Sequence, residues 1–340
     1  MSAAPPATGA EAHAEDPLPA DLVSDAVTRY GLPPESEVAF VRHGENTTYS
    51  VTTPDRRRFA LRVNRPGYQT RDASRSELAW MASLLSSGVR TPVAIAGSDG
   101  DPIQTATGSD GSSRTTVLFE WIDGVPLSAV GEVQRWGQLG ALMARIHAHT
   151  RAWERPAWFT RPAWDAEALV GDDPRWGPPD PERVFAPDDR AALEACRSEV
   201  RARLAVIGTG PDRFGLTHAD LGFENVLVSD DGEVVIIDFD DSGDGWYLHE
   251  LAVALYPHEG APDFGDRRDA LVDGYRSVGE LTDELLAELP TFLMARRIQT
   301  LGWVYSHPET AHARRQRPLR LASTPRAARD FLTWAGDNPR

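Results

Sequence analysis

The sequence contains no lysine: all 35 Lys+Arg positions are arginine. That excludes Schiff-base chemistry, a lysine general base and the Gly-Lys-Ser/Thr phosphate loop. A GC-rich coding bias accounts for the absence without a functional cause, and the chemical consequence stands either way. Cysteine is nearly absent too. Cys196 is the single one, so neither an intrachain disulfide nor a cysteine-rich metal site can form. No apolar run approaches the ~18 residues that a membrane span needs. Positive charge is outnumbered, with 35 basic against 51 acidic side chains and a net charge of −16. Such a chain is a poor counterion for phosphate backbones or anionic lipid, so neither nucleic acid nor a membrane surface is an expected partner.

Hydrophobic residues make up 41% and charged residues 25% of the 340 positions, which excludes a rod, a fibre and wholesale disorder. This length exceeds the usual single core, so two joined lobes are expected. Residues 1–19 are rich in Ala and Pro, and no basic residue precedes Arg29. They read as a disordered tail rather than a signal peptide, and a cytoplasmic location is expected. Leu22, Val23, Ala26, Val27 and Tyr30 then follow helical spacing, with Asp21 as a cap and Gly31 as a stop. Residues 36–122 read as strands with one helix at Asp72 to Ser87, and residues after 123 as mostly helix. The expected fold is α+β and bilobal: an N-lobe over 20–122 and a larger, mainly helical C-lobe over 123–340.

The run Leu216-Thr217-His218-Ala219-Asp220-Leu221-Gly222-Phe223-Glu224-Asn225 leads into a β-hairpin pattern. Val226 and Val228 precede a turn at Asp230-Asp231-Gly232, and Val234 to Ile237 deliver Asp238 to the end of a buried strand. A carboxylate placed there is costly unless it is paired or binds metal. Asp220, Asn225 and Asp238 are oxygen donors that one short hairpin can bring to one cleft. Few, hard oxygen ligands suit Mg²⁺, which keeps waters and phosphates in its shell.

His-x-Asp, an Asn five residues on and an Asp ending a strand resemble the catalytic loop and metal-binding segment of protein-kinase-like enzymes. The pattern is most similar to the aminoglycoside/choline phosphotransferase family, near its homoserine-kinase-like and stress-response branch, over about Val38 to Trp334. Here the runs are His218-Ala219-Asp220 and Asp238-Phe239-Asp240. The resemblance implies a kinase-like fold with a small antiparallel-sheet N-lobe. It implies that Asp220 accepts the acceptor hydroxyl's proton, that Asn225 and Asp238 hold Mg²⁺ on the phosphates of ATP or GTP, and that His218 braces the loop. The family pattern has Asp where this chain has Glu250. That residue reads equally as an anchor for the catalytic loop's backbone and as a first-turn acid favoured by the helix dipole.

Alternation in Phe59-Ala60-Leu61-Arg62-Val63 puts Ala60 and Arg62 on one face, a flat site for a base beside a cation for phosphate. Arg62 stands where kinases carry lysine. Glu77 lies on the apolar stripe with Trp80, Met81 and Leu84, and Arg62 is its expected partner. Gly44-Glu45-Asn46-Thr47-Thr48 sits at a strand-to-strand turn where Gly44 and Asn46 can adopt positive φ; a plain hairpin is the favoured reading, and a loop that turns Gly44, Asn46 and Thr47 to phosphate is the other. By resemblance, the Glu120 carbonyl and the Ile122 N–H meet adenine. Trp153, Trp158, Trp164 and Trp176 read as anchors of a long Pro-rich loop. The other reading joins them with Asp240, Asp241 and Asp244 to hold a cationic acceptor.

Three functions remain in view. The first is Mg²⁺-dependent transfer of the ATP γ-phosphate to a hydroxyl of a small molecule. The second is a stress-response-type Ser/Thr protein kinase, disfavoured because Glu250 follows Asp238 by only 12 positions, too few for a long activation segment. The third is a nucleotide-binding pseudokinase. The sequence leaves acceptor identity and oligomeric state open.

Overall fold

A computed structural model describes residues 18–130, 133–180, 182–222 and 224–340. The expected tail lies almost wholly outside the described residues, and so does Phe223. Backbone packing divides the chain into two compact units. The first holds the residues up to Tyr68, Ile95–Phe119 and Thr310–His312, and the second holds Gln69–Ala94, Glu120–Glu309 and Ala313–Arg340.

In the first unit α1 (Ala20–Arg29) leads into β1 (Glu37–His43), β2 (Thr47–Thr52) and β3 (Arg58–Val63), followed by β4 (Ala94–Ile95), β5 (Ile103–Thr107) and β6 (Ser113–Glu120). The sheet order is β1-β2-β3-β6-β4, with β5 also paired to β6. Antiparallel pairing places Ala60 opposite Ser50 and Arg62 opposite Thr48. Period-two alternation sends Tyr49, Val51, Phe59, Leu61 and Val63 to one face, where they meet Leu22, Val23, Ala26 and Val27 of α1. Each such side chain contributes roughly 1.5–3 kcal/mol by leaving water. The Tyr30 hydroxyl donates to Pro102 O and Thr116 O at 3.0 and 2.8 Å, tying the end of α1 to the sheet.

Asp21 is not the cap of α1. The helix opens at Ala20 behind Pro19, with no side-chain cap. Asp21 instead accepts the Ser109 N–H at 2.5 Å, pinning the β5–β6 turn. Gly31 does stop the helix, at φ 64°. Gly44 and Asn46 are not among the residues with positive φ. The turn closes otherwise, with Gly44 N–H donating to Asn46 O at 2.9 Å and Asn46 Oδ1 accepting Arg65 N–H at 3.1 Å.

The second unit opens with α2 (Arg71–Ser86), capped by the Thr70 hydroxyl on Ala73 N–H. Next come β7 (Val125–Pro126), α3 (Leu127–Val130), α4 (Val133–Ala152), β8 (Ala163–Trp164), α5 (Ala166–Val170) and α6 (Pro187–Ile207). β9 (Phe214–Thr217), β10 (Val226–Val228), β11 (Val234–Ile236) and β12 (Gly243–Trp246) precede α7 (Tyr247–Leu255). Four helices finish the chain: α8 (Phe264–Arg276), α9 (Asp283–Ala287), α10 (Leu289–Ser306) and α11 (Ala311–Asp337). Two three-stranded sheets, β11-β10-β7 and β8-β12-β9, sit among these helices. α4 and α8 cross at glycine: a Cβ on Gly140 would stand 1.9 Å from Leu271 O, and one on Gly274 would stand 2.0 Å from Gly137 O. Buried arginine replaces lysine as the structural cation. Arg203 on α6 bonds Glu199 at 2.9 Å and Glu288 at 2.8 Å and lies over the Trp334 ring.

Candidate active site

The expected hairpin is present. β10 and β11 pair antiparallel with Val226 opposite Ile236, and Ile237 N–H donates to Asn225 O at 3.0 Å. Asn225 therefore lies across from Ile237, one residue from Asp238. On the β9 side, Asn225 Nδ2 donates to Asp220 Oδ2 at 3.0 Å and to Asp220 O at 2.9 Å. Backbone pairing thus joins the β9–β10 loop to the start of Asp238-Phe239-Asp240.

His218 completes that junction. Its Nδ1 accepts the Asp220 N–H at 3.3 Å, so the ring proton resides on Nε2, which donates to Ile237 O at 2.9 Å. The ring also meets Phe239 edge-on, and Phe239 meets Trp80 of α2. The two residues that turn the chain here, Ala219 and Asp238, have φ of 68° and 65°. Left-handed backbone at a non-glycine residue costs about 1–2 kcal/mol, so surrounding bonds must hold it.

Glu250, in the first turn of α7, supplies those bonds. Its Oε1 accepts the backbone N–H of His218 at 2.5 Å and of Ala219 at 3.2 Å. Its Oε2 accepts from His147 Nε2, and His147 Nδ1 bonds the Tyr275 hydroxyl at 2.9 Å. Both roles considered for Glu250 apply at once: it is a first-turn acid and it anchors the loop. Burial raises its carboxyl pKa, but His147 and then His218 outweigh burial and leave it below the ordinary range. His147 is fully buried and stacks on Tyr247. It is a packed structural histidine.

Asp220 is the more open member of the loop, with its side chain 30% exposed. Its Oδ1 accepts from Arg296 Nη2 at 2.6 Å. Arg296, on α10, is buried over the Trp176 ring and also donates to Gln299 Oε1 at 3.1 Å. Sequence reading missed Arg296. The available signal was a charged residue inside the apolar run Phe292-Leu293-Met294-Ala295-Arg296-Arg297-Ile298, the same anomaly that singled out Glu77.

The remaining candidates divide between the units. Gly44, Asn46, Thr47, Ala60 and Arg62 belong to the first unit; Glu77, Glu120, Ile122, Asp220, Asn225 and Asp238 belong to the second. Arg62 is buried, with its guanidinium 5.4 Å from the Phe119 ring centroid. Glu77 is fully buried on α2. Of the four tryptophans Trp164 and Trp176 are buried, under Arg175 and Arg296, while Trp153 is half-buried and Trp158, facing Arg75, is exposed. Asp244 is taken by Arg155 through two bonds of 2.9 and 2.6 Å.

The donor set fits magnesium. Because Asn225 gives its Nδ2 protons to Asp220, its amide orientation is fixed and Oδ1 is its ligand-type atom. With Asp238 it would offer two hard oxygens, leaving the rest of the shell to water and phosphate.

The sequence profile of the Phosphotransferase enzyme family matches residues 37–285. The chain belongs to that family, whose members phosphorylate small molecules. Among solved structures it is similar to a microcompartment-associated aminopropanol kinase, with 32% identity and a TM-score of 0.83 over 93% of this chain and 98% of that one. It is 22% identical to amicoumacin kinase of Bacillus subtilis (strain 168) over 84% of each chain. It is 29% identical to homoserine kinase of Rhodospirillum rubrum over 64% of each. The α+β kinase-like architecture and the kinase class of the enzyme are those expected from sequence.

Proposed function

We propose that this enzyme transfers the γ-phosphate of ATP, with Mg²⁺, to a hydroxyl of a small-molecule alcohol. The observation that carries the reading is the position of Asp220: a partly open carboxylate held by Asn225, itself one residue across the hairpin from Asp238. The acceptor oxygen would bond to the γ-phosphorus as the bond to the β,γ-bridging oxygen breaks. ADP leaves, and the hydroxyl proton passes to Asp220. Magnesium, held by Asn225 and Asp238, would neutralise phosphate charge. Arg62 would serve the phosphates in place of lysine, beside Gly44, Asn46 and Thr47. Ala60, with the Glu120 carbonyl and the Ile122 N–H, would receive the base. GTP is the alternative donor.

Replacing Asp220 by Ala should lower kcat ~10²–10⁴-fold while Mg·ATP binding, followed by calorimetry, is kept. Transfer at full rate in that variant would remove Asp220 as the base. The protein-kinase reading predicts incorporation of label from ATP into generic protein substrates, and the pseudokinase reading predicts nucleotide binding without ADP release on any alcohol.

A further inference from the structure

On its α10 side Asp220 meets a charged donor. Arg296 sits 2.6 Å from Oδ1, and its guanidinium is permanently charged. Its Nη1–H fixes the Gln299 side chain with Oε1 toward the arginine, which leaves Gln299 Nε2 at the same end. That nitrogen is buried and has no hydrogen-bond partner among the described residues, and Gln299 is only 3% exposed. The indole Nε1 of Trp176, beneath Arg296, is likewise buried without a partner. Further along the chain, Arg297 is paired with Glu259 at 2.5 Å. Arg320 lies over the Tyr256 ring, near enough to feel the charges of Arg296 and Arg297.

Buried orphan donors are rare, and two of them on side chains packed against one buried arginine call for a ligand rich in acceptor atoms. A cationic acceptor bringing its hydroxyl to Asp220 would approach Arg296 with like charge. An acceptor carrying an oxyanion meets attraction instead, and a planar carboxylate matches the guanidinium fork. We infer that the acceptor of this enzyme carries a carboxylate near its reacting hydroxyl, and that Arg296, with Gln299 and Trp176 as neutral donors, recognises it. The inference deepens the phosphotransferase reading and rests on its placement of the acceptor at Asp220. It also gives the Arg296–Asp220 pair a purpose. The acceptor's carboxylate competes for Nη2, and Oδ1 is released toward the hydroxyl proton. Arg296 is then a specificity-determining residue.

The test uses matched acceptors with the full-length chain and Mg·ATP. Homoserine and 4-hydroxybutyrate carry the carboxylate; 3-amino-1-propanol lacks it and keeps the amine. The wild-type protein should favour the carboxylates ~10–100-fold in kcat/KM, a range set by one ion pair at intermediate dielectric. In Arg296→Gln the ratio between the two classes should collapse toward one, and in Arg296→Lys a preference should persist. Gln299→Met should raise KM for the carboxylates more than it lowers kcat. A wild-type preference for the amino alcohol, or an Arg296→Gln variant that slows both classes equally, would overturn the inference. Calorimetric binding of the same probes separates the two claims. Carboxylate binding with no transfer to any hydroxyl sinks the phosphotransferase reading alone. Transfer without carboxylate preference sinks this inference alone. Failure of both carboxylates to bind sinks it as well.

Discussion

Glu250 and His147 share a buried hydrogen bond that ties α4 to the loop bearing Asp220, because the same carboxylate also accepts two backbone N–H groups from that loop. A buried charge with this many partners is costly to disturb. Glu250→Gln keeps the shape but removes the charge and turns an amide donor toward existing donors. The expected loss is about 3–5 kcal/mol of stability, read as a fall in Tm. Activity should fall more than Tm alone implies, because Ala219 loses the bonds that hold its left-handed backbone. An unchanged Tm would mean that the network contributes little.

His249 gives a pH dependence with a definite sign. Burial, then the charge of Arg296, pushes its imidazole down to about 3. The unfolded chain takes up a proton near the ordinary histidine value of ~6.5, while the fold refuses it. Between these values the unfolded state binds more protons, so stability is full above ~6.5 and declines as pH falls toward 3. Urea unfolding from pH 7 to 4 should show this decline, and His249→Asn should flatten it. A variant with the same slope as wild type would assign the effect elsewhere.

Gly140 is the contact point of α4 with α8. Gly140→Ala would force a methyl against Leu271 O and to within 2.8 Å of Tyr275 N, both backbone atoms. Overpacking of this kind costs about 1–3 kcal/mol. The displaced Tyr275 also holds His147, so the loss should reach phosphoryl transfer. Gly265→Ala, in the first turn of α8 with open space around it, is the control and should leave Tm unchanged or slightly higher.

Cys196 should be chemically silent. Its Sγ–H donates to Ala328 O at 3.2 Å, and burial, with Glu199 nearby, pushes its pKa up to about 12. A maleimide at neutral pH should leave the native protein unlabelled and label one thiol per chain after unfolding. Fast labelling of the folded protein would contradict the packing of α6 against α11.

What the sequence disclosed was local in character. The alternation of β3 and the hairpin leading to Asp238 both follow from periodicities that a single segment carries, and each is present. What escaped it was pairing across long separations. Arg296 meets Asp220 across 76 residues and His147 meets Glu250 across 103, and no local pattern states which acid a distant base will find. Asp21 was misread for the same reason: its side chain suits a cap, yet Ser109, 88 residues on, offers it a backbone donor. The acids near the tryptophans looked available to a ligand until Arg155 was seen to occupy Asp244.

Dependence on arginine sets how the protein meets alkali. Its basic side chains keep their charge past pH ~12, so pairs such as Arg203 with Glu199 and Glu288 outlast conditions that would neutralise lysine. The buried Cys196 thiol and then the buried tyrosines are the alkaline stresses on the core. Burial, against a hydrogen bond to Thr116, pushes Tyr30 up to about 12. Because the unfolded phenol ionises near ~10, the fold should begin to loosen above that value, both at the seam where α1 meets its sheet and around Tyr275 in the second unit, whose phenol burial also holds above the ordinary range.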